Sequence, residues 1–477
     1  MDLLKNLFSS QNFIFKLLLL WVFVLSVLYS LLSVLRHMHF QSGGFDLGIF
    51  DQALFQYSNF LFPYNTIKER FILGDHLNLT LPLLSPLYWI VKDVKILLIF
   101  QAVFITISTI AIYKLSLLRK FSPFVSFCLS FIYSIFWGIQ FAVFFDFHPI
   151  VIGVGLLSFL LYFLESKKWK LFWITLILML LTQENMGLAL AAVGFIYFFK
   201  KQYRKTAVIF IIGGVIAGLI SVKLIGLMSP VGYQYWPTFD LNPLNLFLRF
   251  FDNTDKQLVW LYSFSWFSFL PILSPPTILA VAFDLSQYFL PQKQFGHMVT
   301  PFLHERAILA PIIILGLFDV LSFLYKRKIN ITIVVILLVL SALLQQFIFH
   351  FPLNKLSKAE YIKSEQWMTD NNKLFNEIPN NASLATTQNL IPHLSQRNKI
   401  YLLYPRIKDM KECKSCWWLE FSGKPAFMVL DLRPNQWATQ LLESNENFNL
   451  AVKNMENAKK ITKVKNINNA FLYKINY

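Results

Sequence analysis

Long apolar runs alternate with short basic clusters along most of the chain, and the alternation stops near residue 351. The basic clusters are Lys5/Lys16, Lys114/Arg119/Lys120, Lys167/Lys168/Lys170, Lys200/Lys201/Arg204/Lys205 and Lys326/Arg327/Lys328. Such clusters mark cytoplasmic loops, and placing all of them on that side pairs the spans between them. The first apolar run, near residues 15–35, is long enough to cross a ~30 Å hydrocarbon core. Arg36-His37-Met38-His39 follows it where a small-residue cleavage site would stand, so it reads as a retained helix. Further spans fall near 94–115, 122–141, 149–165, 169–183, 186–200, 206–225, 257–272, 277–290, 302–325 and 330–350. The pattern predicts an α-helical polytopic membrane protein with about eleven transmembrane helices and a long first outer loop at 36–92. By parity the N terminus is cytoplasmic and the C terminus extracytoplasmic, in a multi-pass plasma-membrane protein.

From residue 352 the chain turns polar and rich in Asn and Lys. Tyr401-Leu402-Leu403-Tyr404 and Ala426-Phe427-Met428-Val429-Leu430 have strand length, with helix-like stretches near 357–376 and over Gln436–Leu442. Residues 1–351 are therefore expected to form the membrane domain, and 352–477 a soluble extracytoplasmic α/β domain.

Composition agrees with this layout. Of 477 residues, 56% are hydrophobic and 14% charged, against about 25% charged in soluble domains. A net charge of +17 would suggest nucleic acid, but most cations up to residue 350 lie in the loop clusters, so no nucleic-acid partner is expected. Cys413-x-x-Cys416 lacks the second pair that zinc needs and reads as a local disulfide outside the cytoplasm; Cys128 reads as helix packing. The chain carries no Walker A motif, GxGxxG or serine-hydrolase elbow. No internal repeat is visible, which disfavours inverted-repeat transporters.

The candidate chemistry lies in acids and histidines on the predicted outer side. Phe45-Asp46-Leu47-Gly48-Ile49-Phe50-Asp51-Gln52 places two carboxylates among apolar residues, an expensive arrangement without a partner or a task. Gly43-Gly44 predicts a chain break and then a short helix, where Asp46 is favoured by the dipole; helix capping is the competing account of it. The five-residue step to Asp51 turns roughly 140° on an α-helix, so one acid at most faces a common site. The stripe Leu47, Phe50, Leu54 suggests a helix lying on the membrane surface. Asp75-His76 competes with a solvated turn, and Gln183-Glu184-Asn185 with helix-end hydrogen bonding. Phe145-Asp146-Phe147-His148-Pro149 is sharper, because an Asp-x-His pair between phenylalanines adds little to stability. His297 and His304-Glu305-Arg306 open a late span; Arg306 suits a phosphate, with snorkelling to the interface as the rival account.

Taken together, FDLGIFDQ at 45–52, Asp75-His76, Phe147-His148-Pro149 and Pro392-His393-Leu394-Ser395 with Arg397 resemble a family of predicted polytopic membrane proteins classed as a domain of unknown function. That family is similar to the GT-C glycosyltransferase superfamily. The resemblance implies a membrane transferase moving sugar from a polyprenyl-phosphate donor to a glycan, lipid or protein acceptor at the extracytoplasmic face. It implies catalytic acids at Asp46 and Asp146; the residues themselves add expected substrate contacts at Asp75, His76, His148, Glu184, His297 and Arg306. The paired acids further suggest a divalent cation, Mg or Mn, held by Asp46 and Asp146. At Gln183-Glu184-Asn185 the sequence departs from the Lys and second acid expected of relatives. A transporter or flippase of a lipid-linked substrate, and a non-catalytic assembly protein, are the rival functions.

Overall fold

The computed structural model describes residues 10–291, 298–403, 423–434 and 445–477. The predicted helix Gln436–Leu442, the Cys413/Cys416 pair and His297 lie outside them. The described chain is mostly helical, with a small C-terminal sheet, and packs as two units.

The first unit takes in the described residues of Met1–Ser33, together with Leu73–Thr80 and Leu98–Lys358. Each predicted span overlaps helical structure, but the lengths are uneven and some spans break. Among the described residues five helices are long and apolar enough to cross a membrane: Gln11–Met38, Lys95–Leu118, Lys201–Met228, His304–Lys326 and Ile331–Ile348. A sixth span forms if Pro123–Ser134 and Trp137–Phe144, bent by 44°, count as one. Gln140 Nε2 donates to the Ile135 carbonyl at that bend, at 2.7 Å, repairing a bond the break would lose. Pro149–Glu165, Trp169–Leu180 and Asn185–Phe198 hold 17, 12 and 14 residues. At ~1.5 Å per residue they fall short of a ~30 Å core, so eleven full spans are not established. The expected 257–272 span also breaks, its helix running only Thr254–Ser265 before a left-handed Phe269.

Helix Asn185–Phe198 packs against Arg204–Met228 through two glycines. A Cβ on Gly187 would lie 2.5 Å from the Gly214 carbonyl oxygen, and one on Gly214 2.3 Å from that of Gly187. Backbones this close are how apolar helices gain packing contacts in lipid. At one end of these helices Arg119 donates to Glu165 (Nε–Oε2 2.6 Å) and to Asp319 (2.9 Å). Lys200 meets the same Asp319 oxygen at 2.8 Å, and Tyr197 donates to Glu165 at 2.6 Å. Members of two basic clusters thereby meet acids from helices that run into two others. Arg119→Ala would leave Glu165 without its counter-cation and Asp319 with Lys200 alone, and is expected to cost roughly 3 kcal/mol. A fall in the thermal midpoint of the purified protein in detergent, restored in part by Arg119→Lys, is the measurement.

The second unit comprises Val34–Ile72, Leu81–Leu97 and the described residues of Ala359–Tyr477, so much of the first loop packs with the C-terminal segment. Its sheet has the order β4-β3-β5-β7-β6. The strands are β3 Leu384–Thr386, β4 Ile400–Leu402, β5 Phe427–Asp431, β6 Ile461–Ile467 and β7 Ala470–Ile475; β1 Tyr64–Asn65 and β2 Arg70–Phe71 form a separate pair. β3 pairs in parallel with β4 and β5, while β7 is antiparallel to β5 and β6. Helix Asn445–Asn457 lays Phe448, Ala451, Val452 and Met455 on Met428, Leu430 and Tyr473. That i, i+3, i+4, i+7 spacing is one helical face.

Candidate functional site

In the first unit a buried polar centre forms where several helices begin. Glu184, at the start of Asn185–Phe198, accepts from or pairs with His76 Nδ1 at 2.7 Å, and its second oxygen accepts the Leu77 N–H at 3.3 Å. Tyr235 stacks on the His76 ring, centroids 5.3 Å apart. The loop 73–80 is thus drawn into the helices, which a solvated turn would not be.

Gln101 holds the Phe145–Pro149 turn: its Nε2 donates to the Asp146 carbonyl at 3.1 Å and its Oε1 accepts the His148 N–H at 2.7 Å. The His148 ring stacks on His304, centroids 3.5 Å apart, and His304 Nε2 lies 3.4 Å from Glu305 Oε1. His76 is close enough to His304 to act on its charge. Arg306 is 1% exposed, donates through Nε to the Thr300 carbonyl at 3.2 Å and through Nη2 to that of Met298, and lies over the Tyr288 ring at 4.8 Å. It does not snorkel. Asp284 and Glu305 supply the negative charge felt by it.

Several buried atoms here have no hydrogen-bond partner among the described residues: Asp284 Oδ2, His304 Nδ1, Glu305 Oε2 and Arg306 Nη1. Each desolvated polar atom left so costs on the order of 1–3 kcal/mol, more if charged. The centre therefore calls for a polar partner that these side chains do not provide for one another.

The FDLGIFDQ run belongs to the second unit. Gly44–Gly48 is a π-turn, with Gly48 N–H bonded to the Gly43 carbonyl at 3.1 Å, and the α-helix Ile49–Ser58 follows. The wider turn separates the two acids by environment as well as by angle. Asp46 is part-exposed, whereas Asp51 is fully buried. Asp51 accepts Tyr88 Oη, Ser395 Oγ at 2.5 Å and Gln396 Nε2 at 3.1 Å. Burial pushes its carboxyl up to about 6, against the opposing pull of those donors. Gln52 Nε2 reaches the Thr66 hydroxyl at 2.8 Å, and Thr66 Oγ1 donates to the Ile400 carbonyl at 2.6 Å. Leu47, Phe50 and Leu54 are buried inside the unit, so the stripe packs on protein and does not present a face to lipid.

The structure therefore joins His76 to Glu184, and groups His148 with Arg306 through His304 and Glu305. Asp75 and Asp146 are buried in the same unit. Asp46 belongs to the other unit. Among the described residues no group of three or more His, Cys, Asp or Glu is arranged to hold a metal ion. Sequence reasoning passed over Gln101, Asp284 and Tyr288. Asp284 carried a signal, being a lone acid in the apolar run 277–290.

Residues 36–450 match the family described as predicted membrane proteins, DUF2079. The chain belongs to that family, and is accordingly a membrane protein with several apolar helices. No curated protein matches it.

Proposed function

We propose that this protein is a membrane glycosyltransferase that takes sugar from a polyprenyl-phosphate donor and passes it to an acceptor at the extracytoplasmic face. The observation that carries the reading is the centre formed by half-buried His76 and buried His148, His304 and Arg306, with its orphaned donor and acceptor atoms. A guanidinium with a spare N–H, close to several imidazoles, suits a phosphate leaving group. In the proposed reaction a carboxylate takes the acceptor hydroxyl's proton, and Asp46 is the candidate that the sequence offers for that role. The acceptor oxygen bonds to the anomeric carbon as the bond from that carbon to the lipid-phosphate oxygen breaks. Arg306 and the histidines balance the charge left on the departing phosphate. No step is routed through a metal.

The test is transfer by the purified protein in liposomes made from the native membrane lipids and glycolipids as acceptors, given undecaprenyl-phosphate glucose, mannose or galactose with a radiolabelled sugar. A new glycosidic bond is expected, and Asp46→Asn should lower its formation by roughly 100-fold or more while the protein stays folded. Near-normal transfer by that variant removes Asp46 as base. Movement of label across the membrane without a new bond replaces the transferase with a flippase.

A further inference from the structure

A cavity of about 780 Å³ lies within the second unit, in the usual range for small-molecule sites. Its chemistry is uneven. Two acids border it, and both are already matched: Asp93 pairs with Lys95 at 3.0 Å, and Asp51 accepts the three donors described above. The remaining cations are Lys92 and Arg397. Arg397 bonds only backbone carbonyls, Leu394 at 2.6 Å and Ala382 at 3.1 Å, and no carboxylate partners it among the described residues. Burial alone pushes its guanidinium down to about 10, as expected for a cation without a counter-charge.

His37 and His393 line the cavity and belong to an aromatic stack. The His393 ring lies between His37 and Phe40, with centroids 4.0 Å from each. Phe40 accepts a left-handed backbone (φ 57°) just past helix Gln11–Met38, where glycine is usual, and its ring completes the stack. His37 is 2% exposed and borders the cavity, yet its Nδ1 has no hydrogen-bond partner among the described residues. The lining also includes Asn372, Asn376, Asn380 and Asn381, whose side-chain amides donate and accept together and so suit neighbouring hydroxyls.

We propose that this cavity binds a hydroxylated anion, a sugar unit bearing a phosphate or a carboxylate, with Arg397 and Lys92 on the charge and the asparagines on the hydroxyls. The inference stands on the cavity alone and is tested by binding, so it survives or fails separately from glycosyl transfer.

The experiment is calorimetric titration of the full-length protein in detergent with glucose 1-phosphate, glucuronate, inorganic phosphate and glucose. Glucose 1-phosphate or glucuronate should bind, and which one does so identifies the anionic group; glucose and inorganic phosphate should each bind at least tenfold more weakly. Arg397→Gln should weaken binding by roughly tenfold or more, the loss of one charge-assisted hydrogen bond. Because Arg397 also holds two carbonyls, Lys92→Gln is the companion variant: Lys92 is exposed and its loss should leave the fold intact while weakening binding several-fold. No binding by either anionic sugar, equal binding of glucose, or affinity unchanged in both variants overturns the proposal.

Discussion

Asp51→Ala is expected to loosen the second unit by about 3–5 kcal/mol, the cost of stripping a buried acceptor from its donors. Tyr88 and Ser395 are themselves buried, at 2% and 0% exposure, so water cannot readily replace the lost carboxylate. The measurement is hydrogen–deuterium exchange of the full-length protein over residues 384–402, where protection should fall while the helices of the first unit keep theirs. Wild-type protection in the variant would mean that the acid does not hold the 392–397 loop. Asp51→Asn should fall between the two, since an amide keeps one acceptor but turns an N–H₂ toward other donors. The pH dependence has a definite sign. The carboxyl stands at about 6 in the folded unit against a reference of 3.8, so its protonation favours the folded state. That contribution is complete below about pH 4 and is lost as pH rises through about 6, by on the order of 3 kcal/mol. Wild type should therefore gain protection between pH 7 and pH 4 relative to Asp51→Asn.

The two acids of FDLGIFDQ illustrate what the chain discloses by itself. Spacing and apolar context marked both as costly, and the rotation argument separated them. The structure leaves Asp46 part-exposed and buries Asp51 under Tyr88, Ser395 and Gln396. Its partners could not be foreseen, because Ser395 is 344 residues away. Helix positions were legible because hydropathy is local, but span lengths were not. The break at Ile135-Phe136 is repaired by a glutamine side chain that leaves no trace in an average. Strand β3 has three residues and β6, Ile461–Ile467, is an exposed lysine-bearing edge; neither contains an apolar run to notice. Helix Asn445–Asn457 did carry a readable stripe, masked by its many asparagines. In the centre of the first unit each polar residue was visible singly, whereas the pairing of His76 with Glu184 depends on tertiary approach across 108 positions.

That pairing carries the second large effect. Under the proposed transfer reaction, Glu184→Gln should cut turnover roughly 100-fold or more, because a neutral amide cannot supply the charge that organises His76 near the leaving phosphate. Its stability should change little, since the amide oxygen can still accept the Leu77 N–H that Glu184 Oε2 accepts at 3.3 Å. His76→Gln should lose a similar amount. If the two side chains act as one unit, the double variant will be no slower than either single one, as side chains sharing one task are strongly non-additive. The loss should lie in kcat rather than KM, because the charge is needed where the phosphate departs and contributes little to holding the lipid chain. Multiplicative losses would assign the residues separate roles. Unchanged turnover in Glu184→Gln would remove this centre from the reaction and leave its orphaned atoms to a transport pathway, where the same buried charges would meet a passing lipid phosphate without any bond being made.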